Sequence, residues 1–144
     1  MDDKIASDEG EFELRKLSQK RNMKISQKNI KNKRLSDSVG CTAHVILITP
    51  KQYFVANSGD SRSIIWRKGK TYSLSHDHKP EDINELNRIV SAGGKISNGR
   101  INNGLNLSRS FGDFSYKSNS MLPSSLQMVI CDPDIRVYDR IPED

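Results

Sequence analysis

Apolar positions in the middle of the chain fall into short runs, and each run ends at turn-forming residues. Ala43 to Thr49 (AHVILIT) is dense in β-branched residues and stops at Pro50-Lys51, and Tyr53 to Asn57 (YFVAN) resumes after a gap of turn length. That spacing predicts a β-hairpin. Ser58-Gly59 breaks the pattern and Ser61 to Arg67 (SRSIIWR) restores it, before Arg67-Lys68-Gly69-Lys70 supplies a glycine-containing turn into Thr71 to Leu74. From Pro80 the period changes. Ile83, Leu86, Ile89 and Val90 make one helical stripe expected to lie on a sheet, with Asn84, Glu85 and Arg88 directed away. Pro80 suits a first helical position, and Gly93-Gly94 suits the left-handed stop. Beyond it, Asn98-Gly99 and Asn102-Asn103-Gly104 predict tight reversals around Lys95 to Ser97 and Leu105 to Leu107. Ser108 to Pro123 reads as an ordered loop, and Met128 to Cys131 with Ile135 to Tyr138 as a last strand pair around Asp132-Pro133-Asp134. Sequential strands with one helix predict an α+β fold rather than a βαβ repeat.

The first 37 residues have a different texture. Between Arg15 and Arg34 every charged residue is Lys or Arg, and the remainder is rich in Asn, Ser and Gln. Leu14, Leu17, Met23, Ile25 and Ile30 keep neither period for more than a turn, so residues 1–37 are expected to be a flexible or marginally helical arm, with residues 38–144 the folded part. A basic arm of this kind could bind anionic surfaces without sequence preference, but no aromatic residue is interleaved for base stacking. A solvated insertion is the simpler reading, and no specific nucleic acid is expected as a partner.

Composition narrows the class. At 144 residues and 34% hydrophobic, with net charge +5, the chain amounts to at most one domain with a modest core. No run reaches the length of a membrane span, the N-terminus MDDKIASDEGE does not resemble a signal peptide, and no membrane association is expected. Cys41 and Cys131 lie far apart without a CxxC or Cys/His spacing. A reducing, intracellular setting, cytoplasmic or nuclear, follows as the expectation.

Three polar stretches carry the candidate chemistry. In Asn57-Ser58-Gly59-Asp60-Ser61-Arg62, Asp60 can either cap a turn and pair with Arg62 or present a carboxylate at a strand end to Mg²⁺ or Mn²⁺. In Asp77-His78-Lys79-Pro80, Asp77 or His78 can cap the helix. In Ser108-Arg109-Ser110-Phe111-Gly112-Asp113, Arg109 can clamp a phosphate or be tied to Asp113 or backbone carbonyls. His76 and His78 are candidates for phosphate contact or plain loop residues, and His44, inside a strand, is expected to be half-buried.

In order, these blocks resemble the metal-dependent serine/threonine protein phosphatases of type 2C. The match runs through Gly40-Cys41-Thr42-Ala43, Val55 to Arg62, Asp77 to Pro80, Ala92-Gly93-Gly94, Arg100 to Leu105, Leu107 to Asp113, Tyr116-Lys117 and Asp132 to Ile135. The resemblance implies an antiparallel β-sandwich with flanking helices, incomplete at both ends, and hydrolysis of phosphoserine and phosphothreonine in proteins by water activated on a binuclear Mg²⁺ or Mn²⁺ centre. Carried over, Asp60 resembles the carboxylate of an additional, weaker metal, and Arg109 and His76 would face the substrate side near the flap. Arg62, Asp77 and Asp113 would be structural supports. The chain contains no Asp-Gly dipeptide and runs out at Pro142-Glu143-Asp144, about where the family enters its second Asp-Gly block. Both main metal carboxylates are therefore missing, no catalytic residue is assigned, and half of the sandwich core is expected to be exposed. The alternative function is a catalytically inactive scaffold that binds phosphoproteins or partner proteins.

Overall fold

The structure is a computed structural model that describes residues 1–20, 34–142 and 144. Its elements are α1 (Asp2–Ala6), α2 (Asp8–Lys20), β1 (Gly40–Cys41), β2 (Ala43–Ile48), β3 (Gln52–Ser58), β4 (Ile64–Arg67), β5 (Lys70–Ser73), α3 (Ile83–Ser91), β6 (Ile96–Ser97), β7 (Arg100–Ile101), β8 (Phe111–Gly112) and β9 (Asp134–Asp139). All strand pairs between these elements are antiparallel, and the architecture is α+β.

The predicted hairpin is β2–β3, with Val45 opposite Ala56 and Leu47 opposite Phe54. Its turn closes on Thr49, whose Oγ1 takes the Gln52 N–H at 2.8 Å and donates to the Gln52 carbonyl at 3.0 Å. β4–β5 is the second predicted hairpin. Tyr53 and Val55 on one face of β3 pack with Leu74, Ile65 and Tyr138 as the first core cluster. On the other face Val45, Leu47, Ile135 and Val137 remain exposed.

Two expectations are corrected. Residues 128–131 do not pair with the final strand: β9 adds to the free edge of β3, giving the order β2-β3-β9. Ile130 instead forms a parallel bridge with Arg109, taking the Ser110 N–H on its carbonyl at 3.0 Å. Val129 and Ile130 are held inside the molecule, and Pro133, which has no N–H, separates them from β9.

The second correction concerns α3, which begins at Ile83 rather than Pro80 and does not lay a simple apolar stripe on a sheet. Ile89 is fully buried with Ile101 and Val129, but Ile83 and Val90 are exposed while Glu85 and Arg88 turn inward. The helix faces loops whose carbonyls need donors. Arg88 supplies them, to Ser108 O at 2.9 Å and Gln127 O at 3.1 Å. After α3, Asn98 and Gly99 take φ of 51° and 70° in the β6–β7 turn, as their dipeptide predicts. Leu105 contributes one bridge to Ile101 and no further strand.

Within the segment read as an arm, residues 2–20 are largely helical and tethered to the body. Glu11 accepts the Leu35 and Ser36 N–H groups at 3.0 and 3.1 Å. Asp2 accepts the Gly112 N–H at 2.9 Å and pairs with Lys117 at 2.6 Å, while Lys117 also donates to Ser110 O. Most of the basic run, residues 21–33, lies outside the described residues. Because the Lys117 amine is nearly buried, Asp2→Ala is expected to cost about 1–2 kcal/mol in urea unfolding followed by circular dichroism. An unchanged midpoint would mean that α1 docks without contributing to stability.

Candidate functional site

The end of β3 is held by Asn57, which is buried and uses both ends of its amide. Its Nδ2 donates to Gly59 O at 3.0 Å and His76 O at 2.8 Å, and its Oδ1 faces His44 Nδ1 at 2.9 Å. The chain then reverses at Gly59, whose φ is 123°. His78 closes on that turn: its N–H donates to Gly59 O at 3.0 Å and its Nδ1 lies 3.1 Å from Gly59 N. Burial pushes the His78 imidazole below its ordinary pKa, and the charge of Arg109 adds to this. The ring is therefore neutral at pH 7. His78 Nδ1 lies 3.1 Å from both the N and the O of Gly59, and Nε2 faces Asp134 Oδ2 at 3.3 Å.

A buried charge cluster stands next to this turn. Glu85 accepts from Arg109 Nη2 at 2.7 Å, Arg88 Nη2 at 2.9 Å and Ser108 Oγ at 2.5 Å. Burial alone would raise its pKa, but the hydrogen bonds from Arg109, Arg88 and Ser108 outweigh it and hold the carboxyl at about 2. Arg109 continues to Asp134 Oδ1 and to Asp132 O, each at 3.0 Å. One line of contacts thus joins α3, the 108–113 loop, the start of β9, His78 and the Gly59–Asp60 turn. Beside it lies a cleft of about 320 Å³ that includes His76, His78, Asp82, Glu85, Arg109 and Asp134.

Of the residues singled out from sequence, Arg109 and His76 share this cleft and Asp60 lies outside its lining. Arg109 is committed to Glu85 and Asp134 rather than to Asp113, and His76 Nε2 sits 3.4 Å from Asp82 on an exposed rim. Arg62 is bound to Asp77 by two hydrogen bonds of 3.0 and 2.9 Å, so it does not pair with Asp60 and Asp77 does not cap α3. The hydrogen bonds from Arg62 hold Asp77 below the usual carboxylate range. Asp113 accepts from Ser110 Oγ at 2.7 Å, and His44 is half-buried against Asn57.

Glu85, His78 as a clasp, and Asp134 were not assigned these roles by sequence reasoning. The signal for Glu85 is its i, i+3 spacing to Arg88 on a helix beside a loop containing a second arginine. The residues present do not fit a resident metal centre: the Asp60 carboxylate is engaged by the Lys79 amine, and among the described residues no group of three His, Cys, Asp or Glu side chains is placed to hold an ion.

Comparison with known proteins agrees with this architecture. The chain matches the family described as protein phosphatase 2C over residues 2–144. It is 54% identical over 105 residues to probable protein phosphatase 2C 21 of Arabidopsis thaliana, covering 73% of this chain and 30% of that protein. It is 55% identical over 103 residues to protein phosphatase 1G of Rattus norvegicus, covering 71% of this chain and 19% of that protein. Among solved structures, a phosphatase from a pathogenic strain of Toxoplasma gondii superposes with a TM-score of 0.58 at 40% identity, covering 61% of this chain and 28% of the other. The chain belongs to the protein phosphatase 2C family. It spans less than a third of the length of these relatives.

Proposed function

We propose that this chain is the central part of a Mg²⁺- or Mn²⁺-dependent protein phosphatase that releases phosphate from phosphoserine and phosphothreonine in proteins. The observation that carries the reading is the family match over residues 2–144. In this reading the main metal carboxylates are supplied from outside this chain, and the resemblance gives Asp60, here paired with Lys79, the place of a ligand to a further, weaker ion. The cleft that Arg109 and His76 share lies on the substrate side, with Arg62, Asp77 and Asp113 as its supports. Arg109 is held in place by two carboxylates and one carbonyl, so its contribution is to fix the loop beside the cleft, leaving its guanidinium little freedom to follow a substrate.

The test is Mn²⁺-dependent phosphate release from a phosphothreonine peptide by this chain, with Asp60→Asn alongside and circular dichroism on both. The expected result is a folded chain without turnover alone, and turnover once the remaining segments of a full-length relative are fused to it. A folded fusion that stays inactive would overturn the enzymatic reading in favour of a scaffold that binds phosphoproteins.

A further inference from the structure

We propose that β2 is a self-association edge, at which two copies of this chain pair antiparallel through Ala43–Ile48 about a two-fold axis. In the order β2-β3-β9 only β3 has a neighbour on each side among the described residues, so β2 and β9 each present one row of backbone N–H and C=O groups without a sheet partner. The two edges differ in what guards them. β9 carries Asp134, Arg136 and Asp139 within its six residues, and a second β9 paired antiparallel in full register would set Asp134 opposite Asp139. β2 carries no Lys, Arg, Asp, Glu or Pro from Ala43 to Ile48.

The β2 side chains are open on both sides of the sheet. Val45 and Leu47, 61% and 60% exposed, share one side, while Ile46 and Ile48, 40% and 59% exposed, share the other. Pairing with a second copy shields apolar side chains on both sides at once, which a partner stacked on one face would not do. Antiparallel self-pairing centred on Ile46 sets Val45 opposite Leu47 and His44 opposite Ile48, so no like charges meet across the edge. The sheet then runs β9-β3-β2-β2-β3-β9, with the charged β9 edges outermost, and the assembly closes at two copies. This concerns association alone and holds whether or not the chain hydrolyses phosphate.

The experiment is sedimentation equilibrium of the 144-residue chain at neutral pH, for the wild type, Ile46→Lys, Ile48→Lys and Val137→Lys. Amide shift dispersion confirms that each variant is folded, and Ile48→Lys, at the more exposed position, carries the test if Ile46→Lys does not fold. The wild type is expected to dimerise with a dissociation constant on the order of 10 µM, the range of a small interface. A lysine at either β2 position should weaken association about tenfold or more, because a charge is forced into the paired edge. Val137→Lys alters the sheet face that bears Val45 and Leu47 but leaves the β2 edge intact, and should dimerise as the wild type does. A wild type that stays monomeric, or β2 variants that dimerise as tightly as the wild type, would overturn the proposal. So would loss of the dimer in Val137→Lys, which would place the interface on the sheet face, or growth of the wild type beyond two copies.

Discussion

Glu85→Ala is expected to destabilise the chain by about 4 kcal/mol at pH 7, because it leaves two guanidinium groups inside the molecule without their carboxylate. Arg109 would keep Asp134, but Arg88 would be left with only the carbonyls of Ser108 and Gln127, so the damage is chiefly the uncompensated charge of Arg88. The wild type should carry the same interaction as a pH dependence. The folded pKa of about 2 lies below the ordinary 4.5, so the stabilisation is complete above about pH 4.5 and is lost as pH falls through about 2. The difference corresponds to about 3 kcal/mol, most of it gone by pH 3. His78 acts in the same direction at higher pH. Its folded pKa is lowered from 6.5, so stability begins to fall as the pH drops below that value. Urea unfolding at pH 7, 5 and 3 checks the first of these: Glu85→Gln should lose less stability than the wild type between pH 5 and 3. Parallel profiles for Glu85→Gln and wild type would show that the cluster does not hold the carboxyl ionised.

The parts of the fold that were legible in the sequence are those where one local rule decides. β2, β3, β4 and β5 combine β-branched density with turn residues, and Asn98-Gly99 needs no tertiary context to reverse the chain. What failed was partner choice. Ile135 to Tyr138 has strand character from its own residues, but nothing local distinguishes β3 from residues 128–131 as its neighbour. The orientation of α3 failed for a related reason. A hydrophobic stripe predicts the buried face when the opposing surface is apolar, whereas here that surface includes the carbonyls of Ser108, Gln127 and Met128, and it selects Arg88 and Glu85. The ion pairs were misread in the same way, because Arg62 reaches Asp77 and Lys79 reaches Asp60 across the turn that sequence neighbours cannot reveal.

That turn tolerates no side chain, and Gly59→Ala is expected to cost about 3 kcal/mol. Two effects combine. At φ 123° a side chain is strained whatever the space, and an added Cβ would also lie 2.4 Å from Thr42 Cγ2 and 3.1 Å from Arg109 O. Thr42 cannot simply rotate away, since its χ1 is stiff and its Oγ1 is bonded to Ser61 Oγ at 2.9 Å. Gly69→Ala serves as the control, because Gly69 also has positive φ, 76°, but nothing within 4 Å of the new atom. It should cost only about 1 kcal/mol. If both variants lose the same stability in urea, close packing of the Gly59 turn against Thr42 is not what holds it. A larger loss at Gly59 should be accompanied by shifts of the His78 ring resonances, because the backbone N–H and carbonyl that clasp His78 belong to the displaced residue. Asp60 would move with them, since the same reversal that seats His78 also sets the carboxylate against Lys79.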